Sequence, residues 1–91
     1  MKLEIASIDT EQAVAFLAER KCVLPDSCEP LFAVAVKDDG GEIHGAILMG
    51  SKDGDCELLH VYGDGLAQVQ TLLYGAAWRA AKALGYKRVV I

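Results

Sequence analysis

The sequence predicts an α+β domain of three layers, in the order β-α-β-β-β-α-β, whose mixed sheet combines an antiparallel meander with one parallel β-α-β pair. Three observations carry this. Residues 31–37, 42–49 and 56–62 are short, rich in apolar and β-branched side chains, and separated by glycine-bearing turns. Residues 66–84 repeat apolar side chains at helical spacing over several turns. Residues 89–91, Val-Val-Ile, follow that helix as a short strand, and a crossover through a helix sets the strands on either side of it parallel.

The chain opens on an alternating segment, residues 2–8, with Leu3 and Ile5 on one face and Glu4 on the other, the period of a strand. Asp9 or Thr10 supplies an N-cap, and Ala13, Phe16, Leu17 and Arg20 follow at helical spacing, so a helix is expected over about 10–20. Residues 21–30 hold both prolines and two of the cysteines and read as a loop. The continuous apolar run of residues 31–37 reads as a strand covered on both faces. Asp38-Asp39-Gly40-Gly41 and Lys52-Asp53-Gly54-Asp55 supply the two hairpin turns of the meander. In the long helix Val69, Leu72, Leu73, Ala76, Ala77, Ala80 and Leu84 form the buried stripe. Gly75 within it weakens the helix and suggests close backbone packing against the sheet, and Gly85 stands at the C′ position.

Ninety-one residues, 53% hydrophobic and 24% charged, suit one packed domain over 1–91 and are too apolar for a disordered chain. Charge is divided unevenly. Residues 1–65 carry thirteen acids against five bases, whereas residues 66–91 carry Arg79, Lys82, Lys87 and Arg88 and no acid. The net charge of −4 argues against a nucleic-acid partner, which would call for a basic surface. The basic segment can receive a small anion, or Arg79 and Lys82 simply complement the C-terminal end of the helix dipole. Cys22, Cys28 and Cys56 are odd in number, have no C-x-x-C spacing and make no ligand pattern with His44 and His60, so no metal site is expected. No leader and no membrane span are expected, because the longest apolar run covers six residues, 31–36. Reduced thiols in a cytoplasmic protein are the economical expectation.

Chemistry is expected where the third strand of the meander runs into the long helix, at Tyr62-Gly63-Asp64-Gly65-Leu66-Ala67-Gln68. The glycines allow a tight turn, and the free N–H groups of the first helical turn favour phosphate. Asp64 is also placed to cap that helix. Candidate catalytic groups are Glu57 and His60 on the strand before the loop and Tyr74 within the helix; strict alternation puts Glu57 with Leu59 and Val61, and His60 with Leu58 and Tyr62 on the opposite face. Tyr74 and Trp78, four residues apart on the helix, read as a packed aromatic pair. Cys56 has no basic neighbour that would mark it as a nucleophile.

The run from Leu73 to Val90, with the Asp64-Gly65 pair before it, resembles the central helix and following strand of a small phage-associated N-acetyltransferase-like family in the GNAT superfamily. The order β-α-β-β-β-α-β looks like the first part of the GNAT fold, whose C-terminal helix and strands lie beyond the fifth strand at which this chain stops. The resemblance implies an acetyl-coenzyme A cosubstrate. Its pyrophosphate would sit on backbone amides of Gly63, Asp64, Gly65, Leu66, Ala67 and Gln68, and its pantetheine arm on the backbone of Leu59, Val61 and Tyr62, in a wedge between the third meander strand and the last strand. Glu57 and His60 would then be the catalytic candidates for transfer of acetyl to an unidentified amine. The alternative is a non-catalytic, shortened module. In either case the terminal strand, 89–91, is an uncovered edge, and a homodimer is the expected partner.

Overall fold

A computed structural model describes residues 2–20, 30–65 and 67–90, and its elements follow the predicted order. They are β1 (Leu3–Ile8), α1 (Thr10–Glu19), β2 (Pro30–Asp38), β3 (Ile43–Lys52), β4 (Asp55–Gly63), α2 (Ala67–Ala83) and β5 (Val89–Val90). The strands form one mixed sheet in sequence order, β1-β2-β3-β4-β5, antiparallel except for the parallel β4–β5 pair. The helices cover opposite faces, giving an α+β domain of three layers. Pro30 belongs to β2 rather than to a loop, as its exposed first residue, a place where a missing N–H costs nothing to the ladder. The rest of the expected 21–30 loop, with Cys22 and Cys28, lies outside the described residues, as do Leu66 and Ile91.

Local chemistry explains the boundaries. Asp9 caps α1, and Gln12 Oε1 accepts from the Asp9 backbone N–H at 3.2 Å, a capping box. At the first hairpin Asp38 Oδ1 accepts from the N–H groups of Gly40 (2.8 Å) and Glu42 (3.0 Å). At the second, Asp53 and Gly54 both take positive φ, 52° and 84°, the geometry of a two-residue type I′ turn. α2 ends in a Schellman motif: Tyr86 N–H donates to the Ala81 carbonyl and Gly85 N–H to that of Lys82, each at 3.0 Å, with Gly85 at φ 97°. Lys82 lies in the last turn of that helix, where a cation suits the dipole.

The sheet divides the core in two. On one face Ala13, Phe16 and Leu17 of α1 pack against Ala33, Ala46 and Leu48, with Leu59 and Tyr62 alongside. Phe16 meets Tyr62 edge-on, ring centroids 5.7 Å apart, and the Arg20 guanidinium stacks 3.5 Å above the Phe16 ring. On the other face Val69, Leu73, Ala76, Ala77 and Ala81 of α2 pack against Val34, Val36, Ile47, Met49 and Cys56. Ala81 rather than Ala80 is fully buried, and Leu84 is 58% exposed beyond the last turn.

Two glycines exchange the roles expected of them. A Cβ at Gly75 would meet only the tip of the Arg79 side chain, at 3.3 Å, so no close approach to the sheet requires glycine there. The close approach is at Gly45 in β3. A Cβ there would stand 2.5 Å from Val69 Cγ1 and 2.6 Å from the Tyr62 carbonyl oxygen, so the bare backbone is what lets the start of α2 settle on the sheet.

β4 departs from strict alternation in a way that matters for the site. Met49 pairs with Leu58 but Leu48 pairs with His60, so Leu59 is an extra residue, a β-bulge. The bulge sends Leu58 and Val61 toward α2, and Leu59 and Tyr62 toward α1. His60 stands opposite Leu48, on the α1 face. Glu57, two residues before Leu59, shares that face, so the expected separation of Glu57 from His60 is overturned.

Candidate functional site

Three features meet along β4: a loop at its end, an unpaired edge beside its middle and an apolar cavity near its beginning. The loop leaves Gly63, passes Asp64 and Gly65, and enters α2 at Ala67. A Cβ at Gly63 would press on Gln70 Cγ at 3.1 Å, and Gly65 holds φ 100°, a conformation that L side chains rarely adopt. Residues 63–65, 67 and 68 therefore lie where a phosphate-binding turn was expected, at the start of a helix of 17 residues.

Asp64 has a partner that the sequence reading did not give it. His44, just outside the last β3–β4 pair (Gly45–Gly63), presents Nδ1 to Asp64 Oδ2 at 2.5 Å and Nε2 to Asp38 Oδ2 at 2.8 Å. The Asp64 N–H also donates to the His44 carbonyl at 3.0 Å. A ring that faces a carboxylate on each side satisfies both only as a donor from both nitrogens, the imidazolium form. The hydrogen bond to Asp38 first, then that to Asp64, raises the His44 pKa above 6.5 against the opposing effect of burial. The same bond to His44 holds Asp38 below its usual 3.8, helped by the Glu42 N–H. The Asp38 and His44 side chains are each only 12% exposed, so this clamp ties the β2–β3 turn firmly to the loop that opens α2. Asp38, Glu42 and His44 also bring ligand-type atoms within 4.8 Å of one another. Both ring nitrogens face carboxylates, so a cation on either would have to displace a proton.

Past Glu57, β4 has no strand on the side away from β3 among the described residues, because β5 pairs only at Cys56–Val89 and Glu57–Val90. The backbone of Leu59, Val61 and Tyr62 thus presents an edge, where the pantetheine-binding backbone was expected. Beside it, on the α2 face, a cavity of about 330 Å³ reaches inward to Ile47 and Met49, walled by Leu58, Ala77 and Val89. Tyr74 and Trp78 form its rim; they are 38% and 43% exposed and line a cavity rather than packing as a closed pair. The Lys82 ammonium lies 5.5 Å from the Trp78 ring.

Glu57 lies in a separate groove of about 220 Å³ shared with Asp53, Asp55, Arg88 and Val90. Arg88 donates to Asp55 Oδ2 at 2.8 Å, which raises its pKa and leaves the groove predominantly acidic. Arg88 thus serves as the ion-pair partner of Asp55. Cys56 is fully buried, and desolvation raises its pKa, which keeps the thiol protonated and unreactive. No helix of the described residues is long and apolar enough to cross a membrane.

No family model, curated protein or solved structure matches this chain.

Proposed function

We propose that this chain is a GNAT-type acyltransferase domain that binds acetyl-coenzyme A along β4 and passes the acetyl group to an amine. The observation that carries the proposal is the unpaired β4 edge from Leu59 to Tyr62, running straight into the Gly63–Gly65 turn at the start of α2. An extended amide-bearing arm can pair with such an edge as a strand would, and its phosphates can take the amides of the loop. Amine nitrogen attacks the thioester carbonyl carbon, the C–N bond forms, the C–S bond breaks and coenzyme A leaves as a thiolate that takes up a proton. The protein's part is positioning and proton transfer. Glu57 and His60 share the α1 face of β4, so either can take the ammonium proton, and the acidic groove around Glu57 attracts a cationic acceptor.

Calorimetry with acetyl-coenzyme A tests this directly. Saturable heat at micromolar to millimolar ligand supports it, and its loss in Gly65→Val, whose side chain resists φ 100°, ties the binding to the loop. Absence of heat at millimolar ligand with folded protein removes the proposal. The same edge favours a second reading, a non-catalytic module that pairs with a second copy through β4, with the exposed side chains of Tyr74, Trp78 and Val90 beside it. Sedimentation that shows only monomer at micromolar concentration removes that reading.

A further inference from the structure

We infer that this domain accepts an apolar acyl chain of medium length in preference to acetyl; the inference rests on the proposed coenzyme A reading of β4. Two observations meet here. The first is distance. From Gly63, at the loop that would hold the phosphates, back to Leu58 the facing strand advances four residues, Gly45 to Met49, because Leu59 is bulged out; at about 3.3 Å each that is roughly 13 Å, well within the reach of an extended phosphopantetheine arm, and β5 pairs with β4 from the next residue on. An arm laid on the β4 edge therefore brings its thioester beside Leu58.

The second is what stands at that point. Leu58 is a wall of the cavity of about 330 Å³ that extends inward past Ala77 to Ile47 and Met49. Ile47 and Met49 are each 1% exposed and Ala77 is 2% exposed, so the far end of the cavity is apolar core. Among the residues that line it, only Tyr74 and Trp78, at the rim, carry a side-chain oxygen or nitrogen. An occupant that reaches the far end finds no hydrogen-bond partner there, and a cationic amine would be stripped of water with no counter-charge. A methyl group leaves most of the space empty. A hydrocarbon chain fills it and gains about fourfold in affinity for each methylene buried.

The two faces of β4 then divide the reaction. The chain lies on the α2 face with Leu58, while Glu57 and His60 lie on the α1 face, from which the amine approaches. The amine nitrogen bonds to the thioester carbonyl carbon as the C–S bond breaks, the released thiolate takes a proton, and the ammonium proton passes to Glu57 or His60. The product is an N-acyl amide carrying the medium chain.

Trp78 is the only tryptophan in the chain and stands at the cavity rim, so its emission reports on the cavity without a label. The experiment titrates the full chain with coenzyme A, acetyl-coenzyme A and octanoyl-coenzyme A, followed by calorimetry and by Trp78 fluorescence. The expected result is binding of all three, with octanoyl-coenzyme A at least about tenfold tighter than acetyl-coenzyme A and alone in shifting Trp78 emission to the blue. Ala77→Leu, which fills the cavity, should remove that preference and leave coenzyme A binding intact, which also shows that the variant is folded. If it loses coenzyme A binding, Val89→Phe, on the β5 wall of the cavity, replaces it. Equal affinity for the two thioesters, or a preference that survives filling, overturns the inference and leaves the coenzyme A reading standing. Failure of all three ligands to bind overturns the coenzyme A reading and the inference with it.

Discussion

The two faces of one sheet are packed by different means. The α1 face is closed by large side chains: Phe16 and Leu17 interlock with Leu48 and Tyr62, and Arg20 lies over the rings. The α2 face is closed near Gly45 by Val69 and Leu73 but continues along the helix with alanines, Ala76, Ala77 and Ala81, opposite Ile47, Met49 and Cys56. Alanine lets a helix lie close and fills little, so the first half of α2 seals the sheet while the second half leaves a cavity beside it. The same number of helical turns can therefore close a core or open a site, depending on side-chain volume alone.

The comparison can be broken most readily by deleting volume on the filled face. Leu17→Ala should cost about 2–5 kcal/mol, because Leu17 is fully buried among rigid neighbours, and a chemical denaturation midpoint measures it. Adding volume sharpens the contrast. Ala13→Leu on the α1 face should cost about 1–3 kcal/mol, whereas Ala77→Leu, with the cavity to grow into, should leave stability unchanged or raise it by about 0.5–2 kcal/mol. Equal losses in the two variants would mean that the faces are equally filled.

The next effect is one of pH and concerns the clamp at the end of β4. A His44 pKa raised above 6.5 means that its contribution to stability is complete below the unfolded value, about 6.5, and is lost as pH rises through the folded value. Asp38, lowered from 3.8, contributes above that value and loses its contribution as pH falls through the lower folded one. The Tm difference between the parent protein and His44→Gln should therefore be largest near pH 5–6 and shrink toward alkaline pH. A difference that grows with pH would reverse the assignment of charge. The smallest effect belongs to Arg20→Ala, which removes the stacking on Phe16 and Tyr62 and should cost about 0.5–1 kcal/mol in the same denaturation assay.

Much of this fold is legible in the sequence because its punctuation is local. Asp53-Gly54 and Gly85 announce a hairpin and a helix end through φ alone, and the spacing of Val69, Leu73, Ala76 and Ala77 names the buried face of α2. The candidate site is less legible because one residue shifts it. Counted from the Asp53-Gly54 turn, regular pairing sets His44 opposite Gly63. The bulge at Leu59 advances the register, so that Gly45 meets Gly63 and His44 comes to Asp64. The same shift brings His60 to the face of Glu57. Nothing in Glu-Leu-Leu-His announces a bulge, since it is the covering of both faces by α1 and α2 that selects it. Gly45 was equally silent, because its close contact is with Val69 and Leu73, more than twenty residues away in the chain.

Among the described residues β5 pairs with β4 at only two positions, joined by a Cys56 N–H bond to the Arg88 carbonyl, by Val89 packed against the α2-face core and by an ion pair whose arginine is mostly in solvent. Detachment of this strand would uncover the Cys56 thiol, which is otherwise sealed from water. The alkylation rate of Cys56 under native conditions is thus a clock for local opening at the β4–β5 junction, running independently of global unfolding. A ligand that wedges itself along β4 would change how fast that clock runs.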